Sequence, residues 1–139
     1  MNRTKQIVAV AAVMCGIAAA LAHAKGSGAQ QPAGAKRTVL LRQDLAGFAG
    51  HEGVLVITEI PAGTKEPRHI HPGDTFVYVQ EGAITLTRDG MGTTTVKAGE
   101  SFVVPAGTVH WAENQGMAGV RMVVTFVVEK GQPLTKAVE

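Results

Sequence analysis

This sequence predicts an all-β domain of the sandwich or barrel type, and three observations predict it. Beyond residue 37 the chain breaks into short runs rich in Val, Ile and Thr: TVLLRQ, GVLVITEI, TFVYVQ, AITLTR, GTTTVKA, SFVVPAG, HWAENQ and VRMVVTFVVE. That is the composition of strands. Turn residues separate nearly all of the runs, at Pro61-Ala62-Gly63, Pro72-Gly73-Asp74, Glu81-Gly82, Asp89-Gly90, Ala98-Gly99 and Pro105-Ala106-Gly107. This is the close punctuation of an antiparallel fold, and Asp89-Gly90 is its strongest hairpin signal. No segment carries the periodicity of a long amphipathic helix.

In chain order, residues 1–24 read as a cleavable signal peptide. Arg3 and Lys5 precede an apolar run from Ile7 to Leu21, and Ala22-His23-Ala24 gives the small-x-small pattern before a cleavage point. A transmembrane anchor is the competing reading, but the run falls short of the ~20 residues that span hydrocarbon. A lipid anchor on Cys15 is disfavoured, because Met14 precedes it and Cys15 lies inside the apolar run. Export to the periplasm or the medium is therefore expected, with no stable membrane anchor. His23 leaves with the signal. Residues 25–37, rich in Gly, Ala and Gln without apolar periodicity, read as a flexible leader. The barrel domain is expected over residues 38–139.

Composition narrows the function classes. Cys15 is the sole cysteine, so the exported form makes neither a disulfide nor a thiolate metal site, and histidine becomes the natural metal ligand. Two of the 13 Lys plus Arg lie in the signal, leaving eleven against 11 Asp plus Glu, a nearly neutral domain. No basic stripe or like-charge block marks a nucleic-acid or anionic-membrane surface. A small-molecule ligand remains. The nearly all-apolar run Val120–Glu129 suits a strand buried on both faces, between the barrel interior and a second subunit, so a homodimer is expected.

His69 and His71 are two residues apart, and in a strand such side chains share a face. Two imidazoles aimed at one spot can take neighbouring corners of a coordination sphere, although an HxH pair by itself also occurs as two solvated or core histidines. The surrounding pattern adds to this. Gly63-TKEPR-His69-Ile70-His71-PGD-Thr75-FVYVQE-Gly82 and Gly99-ESFVV-Pro105-Ala106-Gly107-TV-His110-WAE-Asn114 follow one another in order. In these two motifs the chain resembles the cupin family, with every fixed position of the second matched and the first lacking only its glutamate, replaced by Thr75. The PAGT tetrapeptide at Pro61–Thr64 and again at Pro105–Thr108 places a tight bend shortly before each histidine strand.

The resemblance implies a small double-sheet jelly-roll barrel, often dimeric, in which His69, His71 and His110 hold a divalent metal ion. Gly63, Gly82, Gly99, Gly107, Pro105 and Asn114 are then structural. Three arrangements stay open: a three-histidine site, a site completed by Asp74 if a bulge at Pro72-Gly73 turns it inward, and a barrel without metal. Three neutral imidazoles leave the ion its full double charge, so the site should favour an anionic ligand. Imidazole does not select the metal. Iron is the expected ion, with manganese, zinc, copper and nickel open. The implied activity is a small-molecule dioxygenase-type metalloenzyme, and the alternative is a non-catalytic barrel that binds or senses a small ligand or a metal.

The other candidates take plainer readings. His51 is expected as a solvated loop histidine. Trp111 should face away from His110 into a packing or subunit surface. Phe76, Tyr78, Phe102, Phe126, Met117 and Met122 are expected to pack, those on the ligand face lining the pocket. Glu66, Arg68, Glu113 and Arg121 are expected as solvated charges near the motif strands. No nucleophile triad, nucleotide fingerprint or CxxC pair is present.

Overall fold

The computed structural model describes residues 34–139, so the signal peptide and most of the leader expected from the sequence lie outside the described residues. Ten strands follow in chain order: β1 Lys36–Asp44, β2 His51–Ile60, β3 His69–Ile70, β4 Asp74–Glu81, β5 Ala83–Arg88, β6 Gly92–Lys97, β7 Ser101–Val104, β8 His110–Glu113, β9 Val120–Glu129 and β10 Lys136–Ala137. They form two five-stranded sheets in the orders β1-β2-β9-β4-β7 and β10-β3-β8-β5-β6, and every ladder is antiparallel. This is the all-β, double-sheet architecture that the strand runs and turns predict.

All eight runs read from the sequence become strands. β3, two residues long, is the short strand expected to carry His69, and β10, also two residues long, is too short to show a period. The first strand begins at Lys36, two residues inside the segment read as leader, because Lys36 and Arg37 already pair with Glu59 and Thr58. Asp89-Gly90 makes the β5–β6 hairpin, with the N–H of Met91 donating to the Arg88 carbonyl.

The core forms where the inward faces of the two sheets meet. Val54, Val56 and Ile60 of β2, Val77 and Val79 of β4, and Val120, Met122, Val124, Phe126 and Val128 of β9 pack against Ile84 of β5, Val96 of β6 and Ala112 of β8. Burying one such side chain stabilises by about 1.5–3 kcal/mol. β9 is the middle strand of its sheet. Its burial alternates strictly within the chain, and Arg121, Val123, Thr125 and Val127 on the other face are only half-buried. Phe76 and Tyr78 stand on the same outer surface at 50% and 47% exposure, and Met117 is wholly exposed. These three side chains are therefore not part of the chain's own core.

Two backbone features fix the histidine end of the sandwich. Both PAGT segments are tight turns, with Thr64 N–H donating to Pro61 C=O and Thr108 N–H to Pro105 C=O. Each turn places its glycine, Gly63 or Gly107, at positive φ, as the third residue of such a turn requires. Gly73 answers to a different need: a Cβ there would lie 1.8 Å from the Val127 carbonyl oxygen. Gly73→Ala must push β4 away from β9, and we expect it to lower the unfolding free energy by about 3 kcal/mol. Equilibrium denaturation measures this; an unchanged midpoint would mean that the strands do not approach this closely.

Candidate metal centre

His69 is the first residue of β3 and lies directly opposite His110, the first residue of β8, in the β3–β8 ladder. His71 follows β3 by one residue, and its carbonyl accepts the N–H of Gly107, so the second PAGT turn is tied to the first histidine pair. The strand period and this tie bring all three rings to one place between the sheets. Their centroids are 4.2, 4.7 and 4.9 Å apart, and a potential ligand atom on each lies within 4.8 Å of the others. Each residue is about 95% buried.

The backbone sets the chemical state of the rings. Nδ1 of His69 lies 2.7 Å from the Pro67 carbonyl oxygen, Nδ1 of His110 2.9 Å from that of Thr108, and Nδ1 of His71 2.7 Å from that of Leu134. A carbonyl only accepts, so in each neutral ring Nδ1 carries the proton and Nε2 the lone pair. Burial holds the rings uncharged: it lowers the pKa of His69, and it brings His71 to about 3 and His110 to about 4 against the opposing pull of the carbonyls. The neighbouring histidines add a smaller repulsion between the charged forms. Three neutral, oriented, sp² nitrogen donors are what a divalent transition ion requires.

Thr75 and Asp74 fall on opposite sides of β4. Burial along the strand alternates from its first residue, and the only register shift against β9 is between Val79 and Glu81, so no bulge turns Asp74 inward. Asp74 is exposed, and its carboxylate accepts the Ala106 N–H at 2.9 Å, serving the second PAGT turn. Thr75 is 1% exposed and lines the same chamber as the histidines, its hydroxyl donating to the Gly73 carbonyl at 3.3 Å. The chamber holds about 40 Å³ of free space and is walled in part by Phe102, Met122 and Phe126.

Glu66 departs from the sequence expectation. It is buried, lines the chamber and forms an ion pair with Arg37. A hint lay in its position three residues before His69, inside the first motif. For Arg37 there was none, because it pairs across 29 residues from a segment without pattern. Arg68, Glu113 and Arg121 do lie outside the chamber, in ion pairs with Asp89, Lys65 and Glu59. Trp111 faces away from His110, with the Arg68 guanidinium 4.9 Å and the Lys65 ammonium 5.9 Å from its ring centre. His51 is remote from the cluster and stacks on Phe48 at 3.7 Å. Asn114 is structural: its buried amide donates to the carbonyls of Ile60, Pro61 and Ala118 and accepts the Gly116 N–H, closing the end of β8.

Known proteins resemble this chain in sequence or in fold. Germin-like protein 1-1 of Oryza sativa subsp. japonica is 31% identical over 100 residues, which cover 68% of this chain and 46% of that protein. Oxalate oxidase 1 of Hordeum vulgare is 35% identical over 74 residues, 48% of this chain and 36% of that one. The chain thus spans less than half the length of these curated relatives. The solved structure of the polyketide cyclase RemF from Streptomyces resistomycificus superposes with a TM-score of 0.60 at 24% identity, covering 77% of this chain and 72% of that one, a likeness of fold. Residues 56–128, more than half of the chain, match the family described as the cupin domain. The chain belongs to the cupin family.

Proposed function

We propose that the protein holds one divalent metal ion on His69, His71 and His110 and acts there on a small organic molecule, as an exported dioxygenase-type enzyme. One observation carries the reading. Three buried neutral imidazoles, each with its Nδ1 at hydrogen-bond distance from a backbone carbonyl, bring one ring nitrogen apiece to within 4.8 Å of the others. Iron is the ion we favour; when bound, it supplies Lewis acidity together with redox chemistry toward oxygen and an enolic or phenolic substrate. The chain's own contributions are to orient the rings, to exclude bulk water with Phe102, Met122 and Phe126, and to leave the ion's charge uncancelled. The name of one relative, an oxalate oxidase, supports oxidative chemistry on a small acid as the class to test.

The experiment is oxygen uptake by the purified protein, made without an affinity tag and loaded anaerobically with iron, across a panel of enolic, phenolic and small carboxylic compounds. We expect one class to be consumed with oxygen. Tight binding without turnover across the whole panel would select the second reading, a non-catalytic binding or sensing barrel. The small chamber and the absence of a carboxylate among the three clustered ligands favour that alternative.

Thr75→Glu tests the charge argument. A carboxylate at this buried position completes a four-ligand set, and we expect metal affinity to rise by roughly tenfold or more. The metal-free variant should melt below the parent, because its buried carboxylate is then unpaired. Equal affinity on titration would mean that residue 75 does not face the ion.

Export rests on residues 1–24 alone. A homodimer is part of the same proposal, supported by the exposed Phe76, Tyr78 and Val103 on the outer face of the first sheet.

A further inference from the structure

The histidine chamber, at about 40 Å³, has room for an ion and very little else. A second cavity of about 250 Å³ lies beside it, lined among others by Ala35, Arg37, Pro67, His69 and Ala137. Arg37, Glu66 and His69 border both spaces, so whatever sits in the outer cavity meets the ion pair before it meets the remaining histidines. Arg37 and Glu66 are well shielded there, with side-chain exposures of 23% and 10%.

Their contact joins one terminal amino group, Arg37 Nη2, to one carboxylate oxygen, Glu66 Oε1. A guanidinium carries five N–H donors in a planar fork, and this is its one side-chain hydrogen bond among the described residues, which leaves donors for a second acceptor. The other cations lining the outer cavity are more open to water, Lys65 at 60% and Arg68 at 43% side-chain exposure, and each pairs with a carboxylate outside the lining, Glu113 at 2.7 Å and Asp89 at 2.6 Å. Arg37 is thus the cation at the boundary of the two spaces. A neutral guest leaves its shielded donors poorly satisfied, whereas a carboxylate takes them with charge-assisted bonds.

We propose that the outer cavity seats a small organic carboxylate, with the carboxylate on the spare donors of Arg37 beside His69 and a compact apolar body against Ala35, Pro67 and Ala137. Arg37 is then the residue that recognises the ligand. Glu66 is a positioning residue. It holds the guanidinium inward from β1, an edge strand whose other side chains are mostly exposed. The proposal rests on the chamber being the functional site and names the ligand class that reaches it.

The test titrates metal-free protein with benzoate and with benzamide by calorimetry, then repeats both after zinc loading. We expect benzoate to bind at least about tenfold more tightly than its neutral isostere. Arg37→Gln should remove that advantage while zinc affinity stays within about threefold, and Arg37→Lys should restore part of it. Glu66→Gln should weaken benzoate by a smaller factor, through a looser Arg37. Equal binding of the two probes, no benzoate binding to the parent protein, or full benzoate affinity in Arg37→Gln would each overturn the proposal. Should Arg37→Gln not fold, the benzoate–benzamide contrast on the parent and the NMR shift of the Arg37 Nε–H on benzoate addition decide. Failure of the metal reading would be seen separately, as no zinc uptake by a protein that still selects benzoate.

Discussion

Changing His69, His71 and His110 together to alanine should abolish metal retention, and this is the largest effect expected of any substitution in the chain. The three side chains supply every ligand of the clustered set found among the described residues, and removing even one nitrogen donor from such a set weakens an ion severely, since the nearby Glu66 carboxylate is engaged by Arg37. Elemental analysis of untagged protein should fall from about one ion per chain to background. A single change, His71→Ala, should already reduce affinity by a hundredfold or more, an expectation taken from the 10–100-fold cost of losing merely a supporting bond. Unaltered metal content in the triple variant would remove the ion from these residues, and the functional proposal with it. Circular dichroism should show the strands retained, because much of the core, including Val54, Val56, Val79 and Val120, lies away from the histidine chamber.

Acid should destabilise the metal-free protein strongly, and the sign follows from where the protons go. The three imidazoles titrate near 6.5 when unfolded, but burial lowers all three when folded, His71 to about 3 and His110 to about 4. Between these limits the unfolded chain binds more protons than the native one, so stability rises with pH through this window and is lost as pH falls below about 6.5. From pH 7 to pH 4 the loss should be on the order of 5 kcal/mol, several pKa units at 1.36 kcal/mol each with allowance for mutual coupling. That is comparable with the whole stability of many domains. Urea denaturation at a series of pH values measures it, and a variant with all three histidines changed to Gln should show a much flatter profile. Parallel profiles for the two proteins would show that acid lability arises elsewhere.

The strands and turns were legible because they depend on local chemistry. Alternating β-branched runs and Pro-Ala-Gly or Asp-Gly bends act over a few residues, and every predicted run became a strand. The histidine cluster was legible for the same reason in part: period two aligns His69 with His71, and the second motif supplies His110. Long-range pairings were not legible. The Arg37–Glu66 contact joins residues of no shared pattern, and the Leu134 carbonyl that orients His71 lies 63 positions away. The sequence was silent on what covers the outer surface of β9. An apolar strand signals burial but not by what, and within one chain Val123 and Val127 are covered only in part.

The carbonyl of Leu134 also gives the carboxyl-terminal end of the chain a hand in the centre. That segment is fastened by a two-residue pairing, Lys136 with Ile70 and Ala137 with His69, and by the Val138 N–H on the Arg68 carbonyl. When it frays, His71 loses the acceptor that fixes its tautomer, and either nitrogen can then carry the hydrogen. An ion bound through Nε2 would, conversely, favour the fastened tail. If the centre takes an ion, its occupancy and the order of this segment are expected to be linked, and protease protection of the segment with and without zinc would measure the link.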